Sequence, residues 1–276
     1  MSNPRQLIWE GYFPLICLKG LGTRRFLQGQ ISSEILSINN TQIIKSCWLS
    51  PVARLRALLE VRAIDDEAQI LVLSGKVQDV FNGLERVIFP FDQVTIKWGP
   101  EIRRLQIMSF DKPWQETSFE WISNGSLEEE TYDKYQISTK KEFEEWRIKQ
   151  GIPLGTHELN GEINPFELGL SSLIDLTKGC FLGQETLSKL SNKGLLKQEL
   201  RMISSNEDLS PGDKLFFKDK NIDKLDYAGY ITSSIEKSSK NNIGLAVIRR
   251  KFLKEKILIH KDLPNLVKIN NTIGFN

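Results

Sequence analysis

The stretch that decides the fold of the first part of the chain is RLRALLEVRAIDDEAQILVL, residues 54–73. Over residues 54–63 apolar and polar side chains alternate. Leu55, Ala57, Leu59, Val61 and Ala63 fall on one face. Arg54, Arg56, Glu60 and Arg62 fall on the other, with Leu58 as the exception. A period of two is the mark of a strand buried on one side. Asp65-Asp66-Glu67 then reads as a turn, and residues 68–73 return as a second strand. Together they predict an antiparallel hairpin.

The flanks extend the pattern. Upstream, Leu15 to Leu18 reads as a strand, and Gly20-Leu21-Gly22 turns the chain. A dinucleotide fingerprint would need glycine where Arg25 stands, so the turn leads into an ordinary helix from about Thr23. Phe26, Leu27, Ile31 and Ile35 recur at helical spacing. Downstream, Ser74 is a cap candidate for a helix carrying Val77, Val80, Phe81, Leu84, Val87 and Ile88. Val94, Ile96 and Trp98 alternate as a strand, and Leu105 with Ile107 as another. The order strand–helix–strand–strand–helix–strand predicts a ferredoxin-like split α/β unit over 1–110.

A second α+β domain is expected over 111–196. It opens on a polar connector with an acidic run at 128–130. Thr139 and Glu142 form a capping-box pattern for a helix with Phe143, Trp146 and Arg147, ended by Gly151. Residues 151–173 are rich in Gly, Pro and Asn with little periodicity, the kind of long irregular segment that carries function. From 197 to 276, short alternating runs separated by turns predict a small β-barrel or sandwich.

Composition narrows the classes. Of 276 residues, 26% are charged and 40% hydrophobic, the profile of a globular protein. A net charge of +2 excludes binding of nucleic acid by bulk charge, while leaving room for a local basic patch. The 3 cysteines, Cys17, Cys47 and Cys180, make no CxxC pair and no disulfide framework. With no secretory signal and no long apolar run, a cytoplasmic location is expected. Only 2 histidines thin the case for a histidine metal site or a Ser-His-Asp hydrolase.

The most unusual local sequence is Lys178-Gly179-Cys180-Phe181-Leu182-Gly183-Gln184-Glu185. Its glycines permit positive φ and close approach. Cys180 stands ahead of a predicted helix beginning near Glu185, where the helix dipole and Lys178 would both favour a thiolate. The alternative is a tight loop whose cysteine is a small buried apolar group.

These residues match the K-G-C-[FY]-x-G-Q-E motif, and the chain resembles the YgfZ family of folate-binding proteins, relatives of the glycine-cleavage T-protein (aminomethyltransferase). Other segments agree in order along the chain. Phe26-Leu27-Gln28-Gly29-Gln30 is similar to the family's FLQGQ element, and Ser50-Pro51-Val52-Ala53-Arg54 to its S-P-x-G-R turn, with Ala53 in place of glycine. Arg147 with Gly151-Ile152-Pro153 is similar to R-x-x-x-G-I-P, and residues 245–249 resemble the closing strand. The family's aromatic-Arg-Gly step is replaced by Asn192-Lys193-Gly194. The resemblance implies a T-protein-like α+β fold, with interlocked ferredoxin-like domains around a central folate cleft and a C-terminal β-barrel. It also implies a role in maintaining iron–sulfur enzymes, with linked effects on tRNA modification.

Tetrahydrofolate, the implied cofactor, wants a carboxylate for its pterin edge, flat walls for its ring and cations for its glutamate tail. Glu167, in Pro165-Phe166-Glu167, resembles a P-x-E segment of T-proteins and is the carboxylate candidate; its alternative is a salt-bridge partner. Arg147 is a candidate for the tail or a brace. Gln184 is a further binding candidate beside the cysteine, and Trp48 could wall the pterin or pack in the core. Arg54 and Arg56 share a face with Glu60 and read as solvated. Cys180 and Lys178 are the candidate catalytic pair. One alternative, aminomethyl transfer itself, is disfavoured, because the only paired acids in the matching region, Asp65 and Asp66, read as turn formers; the other is a noncatalytic scaffold that keeps the fold and has lost folate. Direct cluster ligation by one cysteine is also disfavoured. The expected partners are folate and iron–sulfur client or assembly proteins, with tRNA through a local patch, and no membrane.

Overall fold

In the computed structural model the 54–73 hairpin forms β3 (Leu55–Ile64) and β4 (Glu67–Ser74), paired antiparallel around a turn in which Asp65 takes φ 48°. The structure describes residues 6–122, 135–191, 196–218, 225–238, 241–255, 257–260 and 266–275. The acidic run at 128–130 and Asn192-Lys193-Gly194 lie outside these.

The hairpin is the middle of a wider sheet. It contains β1 (Leu7–Lys19), β2 (Ile43–Leu49), β5 (Thr95–Ile107) and β6 (Phe119–Ile122), in the order β2-β3-β4-β1-β5-β6. A short β7 (Gln136–Ile137) runs parallel to β1. Helix α1 (Thr23–Gln30) follows β1, and α2 (Val77–Glu85) follows β4. The four strands β3-β4-β1-β5 and these two helices make a split β-α-β-β-α-β arrangement inside the larger sheet. Both helices cover one face, where Phe26, Leu27, Val80, Phe81 and Leu84 pack on Ile16, Val61 and Ile70.

The other face is concave. Arg104 on β5 reaches Glu60 on β3 through bonds of 2.6 and 2.8 Å, although β4 and β1 lie between them in the sheet. A flat sheet would hold those strands roughly 14 Å apart, so the sheet must curl into a half-barrel. Trp121 on β6 donates its indole N–H to the same carboxylate at 2.9 Å. Glu60 and Arg104 are both fully buried. The reading of Glu60 as part of a solvated face is therefore corrected. Alternation reports two faces, and here the polar one lines the inside of the curl. Arg56, from the same row, is exposed.

Other expectations shift as well. β2 was absent from the predicted order, because IIKSCWL has no clean alternation. β5 is one 13-residue strand rather than two short ones. Ser74 ends β4 instead of capping α2; Lys76 holds the cap position, and no side chain caps that helix.

Past residue 110, β6 and β7 join the first sheet, and the described residues contain no second sheet there. This stretch is instead a layer of loops with α3 (Lys140–Gln150) and α4 (Gln184–Leu190). The Thr139–Glu142 capping box forms as predicted, and Gly151 closes α3 at φ 75°. The chain ends in a closed barrel of β8 (Gln198–Ser205), β9 (Lys214–Lys218), β10 (Leu225–Ser238), β11 (Asn241–Arg249), β12 (Ile257–His260) and β13 (Leu266–Asn270). Its core is apolar, with Ile203, Leu215, Ile231, Ile248 and Val267 buried together. Among the described residues, no helix is long and apolar enough to cross a membrane.

Candidate functional site

Three separated sequence elements meet around Cys180. The backbone N–H of Leu182 bonds the carbonyl of Gly29 at the end of α1, at 3.0 Å. Gly183 adopts φ 85°, and a Cβ there would stand 2.9 Å from the Ser50 carbonyl. So the 178–185 loop is wedged between α1 and the 50–54 turn. That turn carries its own strained position: Ala53, fully buried, holds φ 59°, the backbone that glycine takes in the similar S-P-x-G-R turn. Upstream, the Asp175 carboxylate accepts from Thr177 N at 2.8 Å and Thr177 Oγ1 at 2.6 Å, tightening the approach to the loop.

Lys178 and Gln184 serve this wedge. The Lys178 ammonium donates to the carbonyls of Ile31 at 2.7 Å and Ser33 at 2.8 Å, tying the loop to the chain after α1. Burial lowers its pKa to about 8, against the pull of Glu34 and Asp175. Gln184 turns its amide back onto the carbonyls of Leu176 and Lys178, at 3.2 and 3.3 Å. Both side chains are committed to holding the loop. Cys180 itself is exposed on it, so the buried-thiol alternative does not apply. The neighbouring helix α4 begins only at Gln184.

Glu167 is buried, its carboxylate accepting from Asn164 N at 3.3 Å and from Gln198 at 3.4 Å, with Asn164 Oδ1 accepting the Glu167 N–H in return. Desolvation raises its pKa, partly offset by those bonds and by Arg54. Arg147 is a brace. It grips Glu144 at 2.7 Å and the Ile152 carbonyl at 3.1 Å, and approaches buried Glu158 at 3.9 Å. Trp48 lies against α2, where a Cβ on Gly83 would meet its ring at 2.4 Å. The structure thus brings Lys178, Gln184 and Cys180 together, and places Arg147 and Trp48 in packing roles.

The open ground is elsewhere. A cleft of about 510 Å³ lies between the start of α2, strand β3 and the segment 154–161. That segment is docked on the barrel: Asn160 donates to the Tyr230 hydroxyl at 3.2 Å, and the Ser233 hydroxyl to Glu158 at 2.6 Å. Arg56 and Lys76 line the cleft, and neither has an ion-pair partner among the described residues. The first turn of α2 has no side-chain cap, so its N–H groups add positive potential. Leu154 and Leu159 supply apolar wall, and Asp79 a carboxylate. Glu167 does not line this cleft. The sequence reading missed Lys76 and Asp79 and set Arg56 aside. The available signal was Ser74-Gly75-Lys76, a glycine between a strand and a helix, which is the layout of an anion-accepting turn. Among the described residues no group of three or more metal-ligating side chains exists.

No family model matches the chain. Stretches of it resemble other proteins. It is 34% identical over 109 residues to a chloroplast protein of Arabidopsis thaliana with a transferase name, covering 39% of this chain and 24% of that one. It is 36% identical over 75 residues to the mitochondrial iron–sulfur cluster assembly factor IBA57 homolog of Dictyostelium discoideum, covering 26% and 18%. Against the aminomethyltransferase of Thermoanaerobacter pseudethanolicus it is 30% identical over 131 residues, covering 45% and 34%. The tRNA-modifying protein YgfZ of Buchnera aphidicola matches at 22% over 137 residues, 49% of this chain and 43% of that one, so YgfZ is one distant relative among several. Each of these matches spans less than half the length of the relative. By structure, the glycine cleavage aminomethyltransferase T of Bartonella henselae superposes with a TM-score of 0.76 over 100% of this chain and 87% of that one, at 13% identity. The mixed α+β fold is that of the aminomethyltransferase, and the chain is distantly related to aminomethyltransferases, IBA57 and YgfZ.

Proposed function

We propose that this distant relative of the aminomethyltransferases binds a tetrahydrofolate derivative in the cleft between α2 and the 154–161 segment, and works as an accessory protein in iron–sulfur cluster assembly or repair. The observation that carries the reading is the pair of uncommitted cations, Arg56 and Lys76, facing one cleft beside an uncapped helix start. They fit the carboxylates of a glutamate tail, and Leu154 and Leu159 fit an apolar ring. The relatives named for cluster assembly and for tRNA modification support the cellular role. In this reading Cys180 is the exposed group offered to a client protein, and Lys178 and Gln184 hold it in place. A cytoplasmic setting keeps that thiol reduced.

A second reading, one-carbon transfer, is favoured by Asp79. Transfer needs a carboxylate near the folate nitrogens. On β3 the only acid, Glu60, is locked to Arg104, which leaves Asp79 as the acid lining the cleft.

Calorimetric titration with tetrahydrofolate under anaerobic reducing conditions tests the proposal. Saturable micromolar binding is expected, weakened about tenfold in Lys76→Ala and in Arg56→Ala, the loss of one charge-assisted contact each. Absence of binding, or binding indifferent to both variants, overturns the site. Cys180→Ser should bind folate normally and fail to restore iron–sulfur enzyme activity in a deletion strain. Loss of glycine-cleavage activity in Asp79→Asn would shift the reading to the transferase.

A further inference from the structure

A second cleft, of about 590 Å³, opens between the approach to the 178–185 loop and the first strand of the barrel. Phe166, Ile174, Leu176, Leu190, Leu196 and Phe275 form its walls. Close-packed interiors leave few voids of this size, and the volume falls in the range of small-molecule sites, about 300–1,000 Å³. The wall side chains are only partly buried, so apolar surface faces the open space.

The polar groups around it differ in what they have left to offer. Asp175 spends its carboxylate on Thr177 and on the Lys178 N–H. Glu199 is paired with Arg201, whose guanidinium lies over Phe275 at 4.3 Å. Arg250, on the short turn after β11, is exposed on the rim, and its side chain has no hydrogen-bond or ion-pair partner among the described residues. Among its described lining residues the cleft is therefore an apolar hollow with one uncommitted charge, and that charge is positive. It shares no lining residue with the cleft of Arg56 and Lys76.

We infer that this cleft is a second binding site, for an amphipathic organic anion: a compact apolar or aromatic body ending in a single acidic group that pairs with Arg250. The body fills the space between Phe166, Leu176 and Phe275, and the acid stays at the solvent edge. Such a ligand would press on Leu176 and Thr177, and so on the approach to the cysteine loop.

Fluorescence titration of the full chain with 8-anilinonaphthalene-1-sulfonate, an aromatic sulfonate of this description, tests the inference. One saturable site is expected, at least tenfold weaker in Arg250→Glu. Leu176→Trp, which fills the hollow, should abolish the signal while leaving the thermal melt of the folded protein in place. Lys76→Ala, in the other cleft, should leave dye affinity within twofold. No saturable binding overturns the site, and so does binding that ignores Arg250→Glu. A loss in Lys76→Ala equal to that in Arg250→Glu would place the dye in the other cleft and overturn it too. If Leu176→Trp does not fold, the contrast between the Arg250 and Lys76 variants decides alone.

Discussion

The curled sheet and the closed barrel solve the same problem in opposite ways. The barrel joins β8 through β13 edge to edge, and its interior is filled by Ile203, Leu215, Ile231, Ile248 and Val267 with no charged group in that cluster. The sheet stops at β2 on one side and β6 on the other. Its concave face carries Glu60, Arg104, Gln106 and Trp121 in one hydrogen-bonded chain, with Arg104 over the rings of Trp9 and Phe119 at 4.6 and 5.1 Å. Backbone bonds around a closed ring fix a barrel's curvature without help. An open sheet has no such constraint, and here side chains reaching across the hollow set the bend. A buried ion pair here acts as a tie between strands that do not touch.

The sharpest way to break the contrast is Arg104→Met. It leaves Glu60 buried without its partner and should cost about 3–5 kcal/mol. Adding Glu60→Leu should return more than half of that loss in urea unfolding; no recovery would mean the pair does more than tie. In the barrel, Ile231→Ala removes apolar packing only, for about 2–4 kcal/mol, with no second substitution able to compensate by charge.

The next effect is a pH dependence confined to the sheet side. Lys45 on β2 lies over the Phe119 ring at 3.8 Å, and burial lowers its pKa to about 8. The unfolded chain holds that proton up to about 10.4. Stability from this site is therefore complete above that value and falls away as pH drops toward 8. The stability gap between wild type and Lys45→Met should move in favour of wild type between pH 7.5 and 9.5. Buried Cys47, its thiol pushed up to about 12, works in the opposite direction and cancels in the difference. A gap that is flat across this range would show Lys45 to be solvated. The smallest effect has the opposite sign. Gly29 sits within α1, and a Cβ there would meet nothing within 4 Å. Gly29→Ala should stabilise the fold by about 0.5–1 kcal/mol, seen as a raised Tm. A lowered Tm would mean the glycine is required by the fold.

How much of this was legible in the sequence depended on whether partners were local. The barrel strands β8 to β12 follow from alternation and turns, because each strand's pattern is its own. β13 escaped, being a short run near the end. The capping box joins Thr139 and Glu142, three positions apart, and is readable. Glu60 was misread because its partner stands 44 positions away, and alternation cannot separate a solvated face from the inside of a curl. The 178–185 stretch was recognisable as special. Yet the Lys178 side chain turns to the Ile31 and Ser33 carbonyls after α1, and Gln184 to carbonyls of its own loop, contacts that the local sequence does not announce. Arg56 looks like a surface residue and is one; what makes it a candidate for the proposed site is the 154–161 segment lying across from it.

The tie between Glu60 and Arg104 also constrains descent. On the costs expected above, Arg104→Met alone takes a large part of a stability margin that is only about 5–15 kcal/mol for a typical domain, while the double substitution should recover more than half of that loss. A lineage carrying this pair has no gentle single step away from it. The two positions should be inherited as a unit, each preserved by the other long after whatever first brought them together has ceased to matter.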